Sequence, residues 1–232
     1  MSVFGSVQKT FVAGFFRKLF RVRIINPENE PWDKDINSYV VCVNHSSNWD
    51  PILIGACTHR PLRYMAKSEL FKVPILKSIV KLFGAYPVKR DTADVLSVKT
   101  TINILENGEV VGMYPQGRRA KGVHPDTVSP KSGVAMVAFK AKTGILPVTV
   151  ISKKYKVRAF HKTIVVFGEY IPFEELEKIA DTLKEDKEKD SEDIRSSGSM
   201  KLYKTITDKV YDTILENYKK HDVLNKIQIK ID

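Results

Sequence analysis

The sequence predicts an α/β fold, with a single domain in which helices flank a mixed, largely parallel sheet and an N-terminal amphipathic helix precedes it. Three observations support this class. Short apolar runs rich in β-branched residues recur along the chain, segments with apolar residues at helical period separate them, and glycine or proline marks many of the junctions. With 232 residues, the chain is long enough to bury one sizeable core.

The elements follow in order. Strands are expected at 40–43, 61–66, 145–151 and 163–167, and helices at about 48–57, 69–83, 91–107, 131–142, 173–183 and 203–218. Ser68 before Glu69 is read as a helix cap, and Asn107-Gly108 as a left-handed helix stop. The charged, serine-rich run 184–199 suits a solvated linker or a frayed helix, and 227–231 alternates as a short strand does.

This pattern divides the chain into three segments: 1–24 as the amphipathic helix, 25–172 as the α/β domain, and 173–232 as a charged linker with a C-terminal helical segment. Apolar residues of the first segment recur every three or four positions, with cations among them. Its longest apolar run, 11–16, is too short to span a bilayer. Two interpretations stay open: a helix packed on the core, or one lying in the membrane interface with its arginines toward phosphates.

The formal net charge is +11, and acidic residues crowd the stretch 181–195, so the rest of the chain is more basic still. Such an excess suits either nucleic acid or an anionic membrane surface. The basic clusters fall at loop positions without interleaved aromatics on a strand platform, which argues against nucleic acid; they are Lys89-Arg90, Arg118-Arg119 and Lys153-Lys154. We therefore expect an anionic membrane surface as a partner.

The two cysteines, Cys42 and Cys57, fall in an apolar strand and in a helical segment. We expect both to be buried free thiols in a reducing compartment. No C-x-x-C spacing or His/Cys cluster indicates a metal site.

The most informative stretch is the loop after the strand 40–43, which holds His45 and, five residues on, Asp50. An imidazole can accept and release a proton near neutral pH, and a carboxylate can orient the ring and stabilise its protonated form. If a helix starts near Asp50, the turn of the chain brings the two side chains together. This pair is either a general base with its orienting group or a structural hydrogen bond.

Two later loops carry arginine at the end of a short apolar stretch. One runs from Gly84 to Arg90, and the other holds Gly117, Arg118 and Arg119. Guanidinium groups beside backbone N–H groups made accessible by glycine suit a phosphate, which arginine can bind with two parallel hydrogen bonds. Each loop alone is also compatible with solvated surface charge.

In order and spacing, these segments resemble the motifs of the glycerolipid acyltransferases of the 1-acylglycerol-3-phosphate acyltransferase type, the bacterial PlsC-type family. The matches are N-H-x4-D at Asn44, His45 and Asp50, G-x5-R at Gly84 and Arg90, F-P-E-G-x-R from Tyr114 to Arg119, and V-P-V at Leu146-Pro147-Val148. There are two departures: Gln116 stands where the family has glutamate, and Arg118 follows the glycine.

The resemblance implies that the protein transfers an acyl chain from acyl carrier protein or coenzyme A to 1-acyl-sn-glycerol 3-phosphate and so forms phosphatidic acid. It also implies that the protein works at the cytoplasmic face of the cell membrane and needs no metal or bound cofactor. It implies His45 as base, Asp50 as its orienting residue, substrate binding by Gly84, Arg90, Gln116, Gly117 and Arg119, and structural motif positions at Asn44, Pro115 and Pro147. Two alternatives remain, namely the same chemistry on another lysolipid and a non-enzymatic basic protein that binds membranes or nucleic acid.

Overall fold

A computed structural model describes residues 12–88, 95–185 and 195–225. Arg90, the start of the helix predicted from Asp91 and the strand-like end 227–231 lie outside these ranges.

Within the described ranges, seven strands form one sheet in the order β1-β7-β6-β2-β5-β3-β4. Their bounds are β1 Val22–Ile25, β2 Tyr39–Val43, β3 Leu62–Lys67, β4 Ala85–Val88, β5 Val110–Met113, β6 Gly144–Ser152 and β7 Thr163–Phe167. Every neighbouring pair is parallel except β6 and β7. The predicted mixed, largely parallel sheet is confirmed.

Helices cover both faces of this sheet. They are α1 over 12–19, α2 Asp50–Cys57, α3 Pro74–Leu82, α4 Val95–Glu106, α5 Gly133–Lys140, α6 Phe173–Glu185 and α7 Arg195–His221. Side chains of β2 alternate between the two faces: Val40 and Cys42 join a core cluster with α4 to α7, whereas Val41 and Val43 join one with α1 and α2. The predicted α/β class is confirmed.

The C-terminal helix α7 docks on the domain as its apolar spacing predicts. Ile206, Val210 and Ile214 are buried in the cluster that covers β6 and α5. The predicted left-handed stop of α4 is also present, since Gly108 has φ +76 and its N–H donates to the carbonyl of Leu105.

The helix predicted from Ser68 is interrupted. A 3-10 turn spans Ser68–Phe71, and the α-helix starts only at Pro74. Proline has no N–H to donate and disfavours helical backbone at Val73, so it suits the first turn of a helix and breaks one that would run through it. The capping prediction for Ser68 is wrong, because Lys67 precedes the turn and no side chain caps it.

The N-terminal helix is present over 12–19, but the chain enters the sheet at Val22, within the stretch assigned to the helix from the sequence. Phe16 of α1 and Phe20 in the turn after it pack on the core, and Phe20 is fully buried. The other side of α1 leaves Phe15 exposed. Among the described helices, none is both long and apolar enough to cross a membrane.

Candidate active site

The site is built at the carboxyl edge of the central strand β2. Strands β5 and β6 flank β2 and run parallel to it, so the segments that follow β2 and β5 emerge at the same edge. β6 extends beyond this edge, since Val43 pairs with Val148 and the strand continues to Ser152. Loops that leave a rigid sheet at one edge bring side chains that are distant in sequence close together.

His45 and Asp50 meet as their spacing predicts. His45 Nδ1 lies 2.8 Å from Asp50 Oδ2, and Asp50 is fully buried as the first residue of α2. The same carboxylate oxygen accepts hydrogen bonds from the backbone N–H groups of Ser46 at 2.6 Å and Ser47 at 2.8 Å. These bonds fix the carboxylate in place, and the carboxylate in turn fixes the imidazole.

This contact determines which ring nitrogen of His45 carries the proton and which keeps a lone pair. An ionised carboxylate only accepts hydrogen bonds, so the ring nitrogen facing it carries the proton. That tautomer leaves a lone pair on His45 Nε2, for which the described residues provide no hydrogen-bond partner. The arrangement is that of a base oriented by an acid partner.

Tyr114 completes the ring's surroundings, and the sequence interpretation did not single it out. Its ring stacks on the imidazole of His45 with centroids 4.0 Å apart and planes 22° apart. Burial raises the pKa of Tyr114, so the phenol stays neutral and acts as an apolar wall. The signal was available, because Tyr114 occupies the aromatic position at the start of the F-P-E-G-x-R block.

The loop after β5 holds the backbone of His45 from both sides. Gln116 Oε1 accepts from the His45 N–H at 2.5 Å, and the Ala120 N–H donates to the His45 carbonyl at 2.8 Å. Gln116 is only 2 % exposed. The structure therefore places Gln116 under the His45 loop as a support, away from solvent.

The same loop brings Gly117 and Arg119 to the site edge. Gly117 has φ +68, where a side chain is strained, and a Cβ there would also lie 3.1 Å from the side chain of Lys131. The carbonyl of Pro115 accepts from the Lys131 N–H at 2.7 Å, which ties the loop to the start of α5. Arg119 is exposed next to Ala120, the residue bonded to His45.

Asn44 and Pro147 support the loop from β6. The Asn44 side chain makes two hydrogen bonds with the backbone of Val150: Nδ2 donates to the carbonyl at 2.9 Å, and Oδ1 accepts from the N–H at 2.7 Å. Pro147 lies in β6 opposite Cys42, and its carbonyl accepts from the Gly168 N–H. Asn44 thus joins the His45 loop to β6, and Pro147 joins β6 to β2 and to the residue after β7.

Gly84 is not brought to this site. It precedes β4, so it lies at the amino edge of the sheet, opposite His45. Its φ is +77, and a Cβ would come 2.2 Å from the carbonyl oxygen of Leu62. The close approach of two backbones requires glycine here. The carboxyl end of β4 leads toward Arg90, which lies outside the described residues.

Neither cysteine takes part in the site. Cys42 and Cys57 are free and buried, as predicted, and burial raises the pKa of both thiols, to about 12 for Cys57. Cys42 belongs to the core cluster on the sheet face that α5 and α7 cover. In the described ranges, no group of three or more His, Cys, Asp or Glu side chains is arranged to hold a metal ion.

Comparisons with known proteins agree with this geometry. The family model described as acyltransferase matches residues 21–151. A Bacillus subtilis protein named 1-acyl-sn-glycerol-3-phosphate acyltransferase is 34% identical over 127 residues, which cover 54% of this chain and 60% of that protein. A Streptococcus pneumoniae protein of the same name is 32% identical over 114 residues, 48% of this chain and 41% of that protein. The matched segment thus spans about half the length of these relatives.

A solved structure also shares the fold. The Thermotoga maritima protein titled 1-acyl-sn-glycerophosphate (LPA) acyltransferase, PlsC, superposes with a TM-score of 0.62 at 19% identity, covering 93% of this chain and 80% of that one. The likeness therefore extends beyond the matched motifs to the overall arrangement of sheet and helices.

Proposed function

The chain belongs to the acyltransferase family, and from this premise we propose that it transfers an acyl chain from a thioester to the free hydroxyl of 1-acyl-sn-glycerol 3-phosphate. The contact between His45 Nδ1 and Asp50 Oδ2, at 2.8 Å, carries the proposal. It leaves Nε2 of the imidazole as a base at the sheet edge where the parallel strands end, and this is the chemistry that activation of a hydroxyl needs.

The proposed reaction proceeds in two steps. His45 Nε2 takes the proton of the acceptor hydroxyl while the oxygen attacks the thioester carbonyl, and Asp50 stabilises the imidazolium that forms. The tetrahedral intermediate then loses its C–S bond, and the departing thiolate takes the proton from the imidazolium. The new ester is phosphatidic acid. Cys42 has no place in this scheme, since its thiol is buried in the core with a raised pKa.

The acceptor phosphate is assigned to Arg119 and Arg90. Support comes from the position of Arg119, exposed and one residue from the Ala120 N–H that bonds the His45 carbonyl. A guanidinium there can bind two phosphate oxygens at once. Gly117 keeps the loop in its left-handed turn next to it. Gln116 is assigned to positioning His45, because its buried side chain already bonds the His45 N–H.

We place the enzyme at the cytoplasmic face of the cell membrane as a peripheral or monotopic protein. The acceptor holds one acyl chain in the bilayer, so the base must reach the glycerol headgroup at the interface. The net charge of +11 and the exposed aromatic side of α1 support contact with an anionic surface. We propose acyl carrier protein or coenzyme A as donor and no metal or bound cofactor.

The test is a transfer assay with purified protein, 1-acyl-sn-glycerol 3-phosphate in vesicles, and either acyl-CoA or acyl carrier protein loaded with a fatty acid. We expect phosphatidic acid by mass spectrometry with at least one donor, and a loss of rate of about a hundredfold to ten-thousandfold in His45→Ala with normal melting. A parent protein inactive with both donors overturns the proposal. If product forms only with another lysolipid, that lipid is the acceptor.

A further inference from the structure

Phe160 is the most exposed large apolar side chain in the part of the chain that the structure describes, at 74%. It lies in the loop before β7, and its φ of 63 places the backbone in the left-handed region, which is unfavourable for a bulky residue. Its N–H donates to the carbonyl of Leu19 at the end of α1, at 2.6 Å. The fold therefore holds this ring in solvent at a conformational cost, which calls for a function.

The ring extends an apolar stripe on α1. Val12, Phe15 and Leu19 follow one another at steps of three and four residues, so they share one side of the helix, and Leu19 also packs partly on the core. Val12 is 41% exposed and Phe15 62%. Because Phe160 is tied to Leu19, the loop continues the stripe past the end of α1.

Three cations lie in the same loop as Phe160 or in the loop bonded to it. Lys156 and Arg158 are in the same loop as Phe160, and Lys121 comes from the loop after β5. The Gly122 N–H donates to the Tyr155 carbonyl at 3.1 Å, which joins the two loops. The positive charges of Lys121 and Arg158 lower the pKa of Lys156, so the three groups crowd one another. None of the three forms an ion pair with another described residue.

We propose that the loop 156–160 and α1 together form a membrane-contact surface, in which Phe160 and Phe15 insert at the headgroup boundary of an anionic bilayer while Lys121, Lys156 and Arg158 bind lipid phosphates. This inference rests on the proposed function. The occupant is a bilayer because an apolar stripe, next to cations that have no ion pair within the described ranges, matches an interface that is apolar below and anionic above. An acidic carrier protein would match the cations, and the binding experiments below distinguish it from a bilayer.

The surface also leads to the catalytic loop. Four aromatic rings form a continuous series between the two. The distance between ring centroids is 5.3 Å from Phe15 to Phe16, 6.3 Å from Phe16 to Phe20 and 5.5 Å from Phe20 to Trp49. Trp49 lies between His45 and Asp50 in sequence and is 42% exposed. A bilayer bound to the stripe would thus lie next to the loop that carries the base, where a lipid acceptor has to arrive.

Binding to vesicles of phosphatidylglycerol and of phosphatidylcholine tests the surface with the full chain. We expect Phe160→Gly to lower partition into the anionic vesicles about tenfold. Its melting temperature should be equal or higher, because glycine relieves the left-handed strain. The control is Met200→Gly, which removes a side chain of 71% exposure on α7. The melting temperature of this control is measured separately to check that it folds. Equal binding of Phe160→Gly and the parent overturns the proposal.

A spin label measures directly how deeply residue 160 enters the bilayer. Cys42 and Cys57 are buried with raised pKa values, so a cysteine placed by Phe160→Cys is labelled selectively. With phosphatidylglycerol vesicles, the label at 160 should become accessible to oxygen and shielded from a polar nickel reagent, while a label placed by Met200→Cys should not change. A label at 160 that stays in water on bound protein overturns the insertion of Phe160.

Further outcomes distinguish a failure of the membrane surface from a failure of the proposed function. If Phe160→Gly weakens binding of acyl carrier protein and leaves vesicle binding unchanged, the surface receives the carrier and the proposal is wrong. The depth measurement does not depend on turnover, so an inactive protein that still inserts Phe160 contradicts the proposed function alone. An active protein whose label stays in water contradicts only the membrane surface.

Discussion

The side-chain oxygen of Gln116 accepts a hydrogen bond from the backbone N–H of His45 at 2.5 Å, across 71 positions of sequence. Gln116 is the departure from the family's glutamate, and its buried position makes it a support for the backbone of His45. A carboxylate can accept the same bond, so both residue types can hold His45 in place.

We therefore predict that Gln116→Glu keeps the acceptor preference and remains active. Gln116→Ala leaves the His45 N–H without its partner, which costs about 1 to 3 kcal/mol of stability and should lower kcat more than it changes the acceptor KM. Rates on phosphorylated and neutral lysolipids, with melting curves, measure both effects. A shift of preference toward a different headgroup in Gln116→Glu would show instead that this residue selects the acceptor.

Asn44 has a structural role that can be tested by stability. Asn44→Ala removes two hydrogen bonds with the buried backbone of Val150 and leaves its N–H and carbonyl unpaired. We expect a loss of about 2 to 4 kcal/mol in the free energy of unfolding, measured by denaturant titration. Asn44→Asp keeps an acceptor for the Val150 N–H but buries a charge against the Val150 carbonyl, so it should also be less stable than the parent. An Asn44→Ala variant as stable as the parent would contradict the role of this pair.

The sequence was informative where contacts are local. His45 and Asp50 lie on either side of one tight turn, so the end of a strand and the start of a helix suffice to place them together. The bonds from Asn44 to Val150 and from Gln116 to His45 were not predicted. They depend on which strands are neighbours in the sheet, and the apolar pattern of a strand does not encode its neighbours.

The fold was predicted less well where two patterns overlap. Residues of β1 continue the helical apolar spacing of α1, so the four-residue strand Val22–Ile25 could not be separated from the helix. Only the parallel pairing with β7 makes it a strand. The break at Pro74 is different, because the rule that proline starts a helix rather than continuing it was available from the sequence alone.

Arg119 offers a prediction with a neighbouring control. Arg119→Ala should lower kcat/KM for phosphorylated acceptors by about tenfold or more and leave the donor KM nearly unchanged, because a charge-assisted bidentate contact is lost. Arg118→Ala removes another exposed charge one residue away and should have a smaller effect. Steady-state kinetics with each substrate varied in turn decide the matter. If kcat/KM for the acceptor falls equally in the two variants, or if the donor KM rises by a similar factor, the effect comes from loss of positive charge in general and not from a specific phosphate contact. The same assay applies to Arg90.

Phe15 and Phe16 are adjacent on α1 but face different surroundings, so they separate the two interpretations of the N-terminal helix. Phe16 packs on the core with its ring 5.7 Å from that of Phe83, while Phe15 is 62% exposed. Deleting the whole helix would also remove the core-packed Phe16, so point variants are the sharper test.

Phe16→Ser should lower the free energy of unfolding by about 2 kcal/mol, because it leaves a void against the core. Phe15→Ser should change the unfolding free energy by less than about 0.5 kcal/mol and weaken binding to anionic vesicles severalfold. Raising the salt concentration should weaken vesicle binding of the parent, since part of the attraction comes from lysine and arginine near phosphates. If Phe15→Ser destabilises the protein as Phe16→Ser does while vesicle binding is unchanged, then α1 is a core element on both sides.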